Sequence, residues 1–181
     1  MNNQTMANPA PLGLLGFGMT TVLLNLHNSG IIPLSIVIIA MGIALGGFAQ
    51  IVAGIMEFKA GNTFGATAFS AYGVFWWSLV IILVLPVSMK ADEKSMGFYL
   101  LLWAIFTACM FIGTLKHNKA TQVVFGSLTI LFLLLSVADF SGSQLIKVIA
   151  GYEGIFCGAS AIYSAMGQVI NGEFKKDIIK L

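Results

Sequence analysis

Long apolar stretches separated by short polar breaks make up almost the whole of this 181-residue chain. Six of these stretches approach or exceed the length of about 20 residues that an α-helix needs to cross a bilayer. The breaks contain Gly, Pro, Asn and Lys, which are typical of turns between helices. The pattern predicts an all-α membrane protein with six transmembrane helices, at residues 9–26, 33–58, 63–85, 96–115, 121–138 and 144–170.

Proline and polar residues set the expected ends of these helices. Pro33 is placed in the first turn of the second helix, where a missing N–H is not needed. Pro86 is expected to stop the third helix. Residues 90–94 are expected to form a solvated loop, and residues 139–142 to turn the chain before the sixth helix.

The composition agrees with a membrane protein. Hydrophobic residues make up 58% of the chain, charged residues 9%, and the mean hydropathy is +0.94. A soluble domain typically carries about 25% charged residues. We therefore interpret residues 1–181 as a single transmembrane domain. An enzyme is the least expected class, because no nucleophile with a base and no metal-ligand cluster is evident.

The basic residues predict the orientation of the chain. All nine are lysines. Six spans place both termini on one side of the membrane, and that side holds most of the lysines. Because positive charge collects in the cytoplasm, we expect both termini to be cytoplasmic. The terminal side carries Lys59, Lys116, Lys119, Lys175, Lys176 and Lys180, and the other side carries Lys90, Lys94 and Lys147.

The first predicted helix opens on residues that suit a helix start. Asn8 can cap the helix, because its side-chain oxygen accepts from a free backbone N–H. Pro9 fits the first turn. A helix start at or inside a membrane carries a partial positive charge and free N–H groups, which a small anion would meet there.

The second predicted helix combines small residues with two polar ones. In lipid, small residues let helices approach closely, so this stripe is first of all a packing face. Gln50 and Glu57 lie seven residues apart and share the face. Because polar side chains are costly against lipid, we expect both to point into the bundle.

Three titratable side chains are candidates for proton coupling. Glu153 lies nine residues into the sixth predicted helix, or roughly 13 Å at 1.5 Å per residue. A carboxyl group inside a membrane is a functional candidate by default, and the alternative is a protonated or hydrogen-bonded Glu at a helix or subunit contact. Glu57 and His27 lie near helix ends, where they could titrate in contact with water. His27 would otherwise cap the end of the first helix.

Several short motifs resemble those of one transporter family. Residues 8–14 read N-P-A-P-L-G-L, and further motifs are G-F-G-M-T-T at 16–21, N-L-H-N at 25–28, G-N-T-F-G at 61–65, G-T-L-K at 113–116 and C-G-A-S-A-I-Y at 157–163. Together they resemble the acetate uptake transporter family, the bacterial succinate–acetate permeases and their microbial relatives. The resemblance implies proton-coupled transport of acetate and related short carboxylates, succinate among them, across the inner membrane. It also implies a homo-oligomer, a hexamer with one pathway in each subunit, and no cofactor.

The resemblance further implies a hydrophobic constriction in that pathway. In relatives a Phe, a Tyr and a Leu close the pore. By motif matching these fall at Phe17, Tyr72 and Leu128.

A carboxylate carrier is ordinarily expected to hold its substrate with a buried Arg, which binds carboxylate in a bidentate fork. This chain has no Arg, so we expect neutral donors and a weakly held monocarboxylate, crossing as the anion or as the neutral acid. The expected pathway positions are Asn8, Pro9, Pro11, Gly13, Thr20, Thr21, Asn25, Gln50 and Ser70, with Tyr72 and His27 as further donors.

Two other functions remain open at this point. The protein could be an acetate-selective anion channel gated at the same constriction. It could also be a membrane scaffold whose polar residues only hold helices together. Polar residues on the inward faces of at least three helices favour a pathway over a scaffold.

Overall fold

A computed structural model describes residues 6–85 and 91–181, and within these residues it contains helices and no strand. In this part of the chain six helices are long and apolar enough to span a membrane, which confirms the predicted fold class. Their bounds are Ala10–Asn28 (α1), Ile36–Lys59 (α2), Thr63–Val84 (α3), Glu93–Lys116 (α4), Lys119–Ser141 (α5) and Gln144–Phe174 (α6). The cytoplasmic position of the termini stays a prediction. Pro86 and Lys90 lie outside the described residues, and with them the predicted stop of the third helix and the start of the following loop.

The start of α1 depends on Asn8, as expected. The Asn8 side-chain oxygen accepts the backbone N–H of Ala10 at 3.0 Å. Pro9 occupies the cap position itself, and Pro11 is the second residue of the helix. Asn8 therefore pairs a free N–H group of the helix, although it lies one residue before the cap position.

Side-chain caps start α4 and α5 earlier than predicted. The carboxylate of Asp92 accepts the backbone N–H of Ser95 at 2.9 Å, so α4 begins at residue 93 rather than 96. The side chain of Asn118 likewise accepts the backbone N–H of Thr121 at 2.8 Å, so α5 begins at residue 119 rather than 121. Each cap pairs an N–H group that the helix leaves free.

Pro33 does not lie in a helix, contrary to the prediction. The chain turns after α1 at Gly30, whose φ of +82° suits glycine. The next two backbone N–H groups donate back to the carbonyl of Leu26. These bonds hold the connection against the end of α1. Consequently α2 begins only at Ile36, after the extended residue Ser35.

The turn between α5 and α6 is shorter than predicted. Asp139 lies within α5, which continues to Ser141 and ends at Gly142, a left-handed residue with a φ of +62°. The next helix begins at once, because the hydroxyl oxygen of Ser143 caps it. The predicted turn at residues 139–142 is therefore wrong for its first three residues. At its other end, α6 runs to residue 174 rather than 170.

The middle of α2 is not an ordinary α-helix. Gly42–Ala49 is π-helical and connects the α-helical segments Ile36–Met41 and Gln50–Lys59. Such segments are rare and occur frequently at functional sites. This segment ends immediately before Gln50, so it sets the direction in which the side chains of Gln50 and Glu57 project from the helix.

Glycines let neighbouring helices pack closely. A Cβ added at Gly158 in α6 would lie 2.6 Å from the carbonyl oxygen of Gly18, and one added at Gly18 would lie 2.7 Å from that of Gly158. Between α2 and α3, a Cβ at Gly46 would lie 2.8 Å from the ring of Trp76. The small-residue stripes are therefore packing faces, as expected.

Candidate transport pathway

Two cavities lie at opposite ends of the helix bundle. The large cavity has a volume of about 920 Å³ and is bordered by the end of α1 and the start of α6. The small cavity has a volume of about 300 Å³ and is bordered by the start of α1 and the end of α2, on the side of the chain termini. Phe17 and Leu128 line both cavities. These two side chains therefore lie at the boundary between them.

Tyr72 completes this boundary. Its ring centroid lies 6.0 Å from that of Phe17, and the side chain lines the small cavity. Exposure is 6% for Phe17, 3% for Tyr72 and 2% for Leu128. The structure thus brings together the three residues expected to form the constriction, which we call the apolar ring. Their role as a gate stays a prediction.

On the large-cavity side of the apolar ring, Thr21 presents an unpaired hydroxyl. Thr21 is 2% exposed, and its Oγ1 has no partner among the described residues. Asn25 lines the same cavity, but its Nδ2 donates to the Thr21 carbonyl at 2.9 Å and its Oδ1 accepts from Asn28 at 3.0 Å. Thr21 is therefore the freer of the two predicted donors.

Trp76 is a donor that sequence analysis missed. It lines the large cavity, and its indole Nε1–H is buried without a partner in the described part of the chain. Trp76 follows Tyr72 by four residues on α3, so both lie on one face. That spacing could have identified it, but an aromatic stripe is more often plain packing.

On the small-cavity side, Gln50 and Glu57 present polar atoms from α2. Both side chains are buried, as expected, and both line the cavity. Neither amide atom of Gln50 has a partner among the described residues. Glu57 accepts one hydrogen bond from Asn62 at 2.8 Å, and its other oxygen is unpaired there.

Two predicted donors do not line either cavity. The hydroxyl of Thr20 donates to the Gly16 carbonyl at 2.8 Å within α1. Ser70 lies where α3 packs against Gly54 of α2. The Thr20 hydroxyl is bonded within its own helix and Ser70 lies at a contact between helices, so helical spacing alone overstated the number of pathway donors.

Residues of the N-P-A-P-L-G-L motif contact side chains that line the small cavity. Asn8 donates through Nδ2 to the side-chain oxygen of Gln168 at 3.0 Å, and Gln168 lines that cavity. A Cβ at Gly13 would lie 2.5 Å from the ring of Phe69, which also lines it. Asn8, Pro9, Pro11 and Gly13 do not line either cavity themselves.

The three candidates for proton coupling are dispersed. His27 lines the large cavity, and its Nδ1–H donates to the Ile32 carbonyl at 3.2 Å, just beyond the end of α1. Glu57 lines the small cavity. Glu153 is half-buried in α6, has one unpaired oxygen in the described part of the chain, and lines neither cavity.

Comparison with known proteins identifies the family. Residues 1–176 match the GPR1/FUN34/yaaH family. The chain belongs to this family. It is 53% identical to the succinate-acetate/proton symporter SatP of Escherichia coli strain K12, covering 100% of this chain and 98% of that protein. It is 36% identical to acetate permease A of Emericella nidulans, covering 90% of this chain and 61% of that protein.

A solved structure has the same fold as this chain. The structure described as the bacterial acetate channel SatP is similar with a TM-score of 0.96 and 52% identity, covering 98% of this chain and 99% of that one. The similarity extends over nearly the whole chain and includes all six helices. The resemblance inferred from the short motifs is confirmed.

Proposed function

We propose that this protein transports acetate and related short carboxylates, succinate among them, across the cell's inner membrane together with protons. The observation that supports this most strongly is the arrangement around the apolar ring. Two cavities meet at Phe17 and Leu128, and each is lined by residues with hydrogen-bonding atoms that have no partner in the described part of the chain. A small polar solute would pass from one set of donors to the other through a short apolar segment.

The available donors suit a weakly held carboxylate. Thr21 and Trp76 line the large cavity, and Gln50 lines the small one. All three are neutral, and none offers the bidentate fork of an Arg. Weak binding at several sites favours rapid passage over retention, which is the property that a transporter of abundant small acids needs.

Protons would be exchanged in the cavities rather than at the apolar ring. His27 and Glu57 line opposite cavities, so each is placed to exchange a proton with the substrate or with water. Glu153 lies away from both cavities and has a packing role in this proposal. Replacing Glu153 with Gln is expected to leave the pH dependence of flux unchanged. A changed pH dependence would show that Glu153 takes part in proton coupling.

An acetate channel is a second candidate function. The large and small cavities coexist in one conformation, and Phe17 and Leu128 border both. A carrier that alternates between two sides would more simply have one cavity open at a time. The similar solved structure is itself described as an acetate channel.

We also propose that the protein works as a homo-oligomer, a hexamer, with one pathway in each subunit. Large apolar side chains cover the outside of the bundle, as membrane lipid or neighbouring subunits require. Examples are Phe48, Leu102 and Leu145.

Tracer counterflow in proteoliposomes tests the proposal and separates carrier from channel. Labelled acetate entry is measured at zero pH gradient and clamped potential, with and without unlabelled acetate inside. Accelerated entry identifies a carrier. Linear flux without acceleration, accompanied by a current, identifies a channel. Flux no greater than in empty liposomes would overturn both candidate functions.

A further inference from the structure

We infer that Thr107 is a positioning residue that withdraws the only hydroxyl proton of the apolar ring from the pathway, so that the ring passes the substrate as the neutral acid. The inference rests on the proposed function and adds to it the chemical form in which a carboxylic acid crosses. Thr107 is fully buried in α4 and lines neither cavity.

The number of hydroxyl protons determines which oxygen donates in the hydrogen bond between Tyr72 and Thr107. The Thr107 hydroxyl donates to the carbonyl of Trp103 at 2.7 Å, because a carbonyl can only accept. A hydroxyl has one proton. The Thr107 oxygen must therefore accept at its other contact, the Tyr72 hydroxyl at 3.0 Å. Tyr72 gives its proton to Thr107 and has none left for a substrate.

The apolar ring consequently offers no hydrogen-bond donor to a carboxylate. Phe17 and Leu128 contribute only carbon, and Tyr72 contributes its ring. The next unpaired donor on α1 is Thr21, four residues or about 6 Å beyond Phe17. A carboxylate ion crossing this gap would lose its hydrogen bonds with nothing in return, and burying an unpaired charge is far costlier than burying a neutral polar group.

Gln50 supports the same conclusion from the small cavity. Its Nε2 and Oε1 are both unpaired among the described residues. A carboxylic acid has one donor and one acceptor that match this amide, whereas a carboxylate has only acceptors. The neutral acid is thus the form that satisfies both amide atoms before it enters the apolar ring.

The proton balance needs no titratable group at the apolar ring. A carboxylate takes up one proton in the cavity where it enters, crosses as the acid, and releases that proton in the other cavity. Besides Tyr72 of the apolar ring, the titratable side chains that line this path are Glu57 and His117 in the small cavity and His27, Asp92, Asp139 and Lys147 in the large one. The test therefore measures charge movement at one fixed pH.

The decisive quantity is the acetate-dependent current divided by the tracer acetate flux, in proteoliposomes at clamped potential. A neutral acid carries no charge, so this ratio is expected to be near zero in the wild type. Thr107→Val keeps the side-chain shape and removes the acceptor. The freed Tyr72 hydroxyl then turns toward the small cavity to find a partner, and the ratio is expected to rise about 10–100-fold.

Three further variants make the test specific. Thr114 is a matched control, because it is fully buried in the same helix and its hydroxyl donates only within that helix, to Phe111 at 2.7 Å. Thr114→Val is expected to keep the wild-type ratio. In the double variant Y72F/T107V the ratio is expected to fall back, because the freed hydroxyl is gone. Thr107→Ser retains the acceptor and is expected to behave like the wild type.

A wild-type current comparable to the tracer flux overturns the inference, and this result does not depend on whether any variant folds. Equal ratios in Thr107→Val and Thr114→Val overturn it as well. Absence of tracer flux in the wild type is a different outcome, since it overturns the proposed function itself.

Discussion

Gln50→Met is expected to stabilise the protein and to weaken transport. Gln50 is 0% exposed, and both its amide atoms lack partners among the described residues. An unsatisfied buried polar group costs about 1–3 kcal/mol, and Met fills similar space without a strong polar atom. Since about 1 kcal/mol corresponds to about 2–4 °C for a chain of this length, we expect Tm to rise by several degrees.

The same change removes two hydrogen bonds to the substrate. A hydrogen bond between neutral groups contributes about 0.5–1.5 kcal/mol, and the neutral acid pairs with both amide atoms of Gln50. Their loss is therefore expected to raise the apparent KM for acetate about 5–100-fold. Thermal melts in detergent measure the first effect, and concentration-dependent tracer uptake measures the second.

Ser136→Ala is the matched control. Ser136 is buried, lines neither cavity, and its hydroxyl donates to the Gly97 carbonyl at 2.8 Å, which ties α5 to α4. We expect this variant to lower Tm and leave KM unchanged, the opposite of Gln50→Met. If Gln50→Met lowered Tm and left KM unchanged, the amide would be paired in the working protein, and its assignment to the pathway would be wrong.

Three further predictions concern packing, the apolar ring and a helix cap. Gly158→Ala is expected to lower Tm and uptake, because the added Cβ would collide with the backbone of α1. Its control is Gly172→Ala, which has no atom within 4 Å of the added Cβ and is expected to be neutral or stabilising by about 1 kcal/mol. Equal melting curves for the two variants would contradict this. Phe17→Ala is expected to widen the apolar ring and raise butyrate uptake relative to acetate, and an unchanged ratio would place the narrowest point elsewhere. Hydrogen bonds from Ser95 hold the pKa of Asp92 below its usual value. The stabilising effect of Asp92 is therefore fully present above the pKa of an Asp in the unfolded chain, and it is lost as pH falls through the lowered pKa. The difference in Tm between the wild type and Asp92→Ala should consequently shrink below about pH 4. A difference that stays constant with pH would count against the cap.

Sequence periodicity was enough to predict the six helices and their closely packed faces. Each long apolar run corresponds to one helix, because a bilayer forces backbone groups to pair within the same segment. The burial of Gln50 and Glu57 followed from the same argument. Helix ends were less predictable where a cap such as Asp92 looked like part of a loop.

Contacts between helices could not be predicted from spacing along one helix. Thr20 and Thr21 are adjacent in sequence, yet the Thr20 hydroxyl bonds within α1, whereas the Thr21 hydroxyl has no partner among the described residues and Thr21 lines a cavity. The pairing of Tyr72 with Thr107 joins residues 35 positions apart. The sequence contains all four residues, but only the packed bundle determines which hydroxyl groups remain available.

The π-helical segment Gly42–Ala49 also constrains how this chain can evolve. A π-helical turn closes its hydrogen bond over one residue more than an α-helical turn. Loss of one residue inside Gly42–Ala49 can therefore be taken up by a return to α-helix, without rotating Gln50 and Glu57. Loss of a residue between Gln50 and Glu57 has no such outlet and would rotate one side chain by about 100° relative to the other. We expect descendants of this sequence to tolerate a one-residue gap in the π-helical segment and to keep the length from Gln50 to Glu57 fixed.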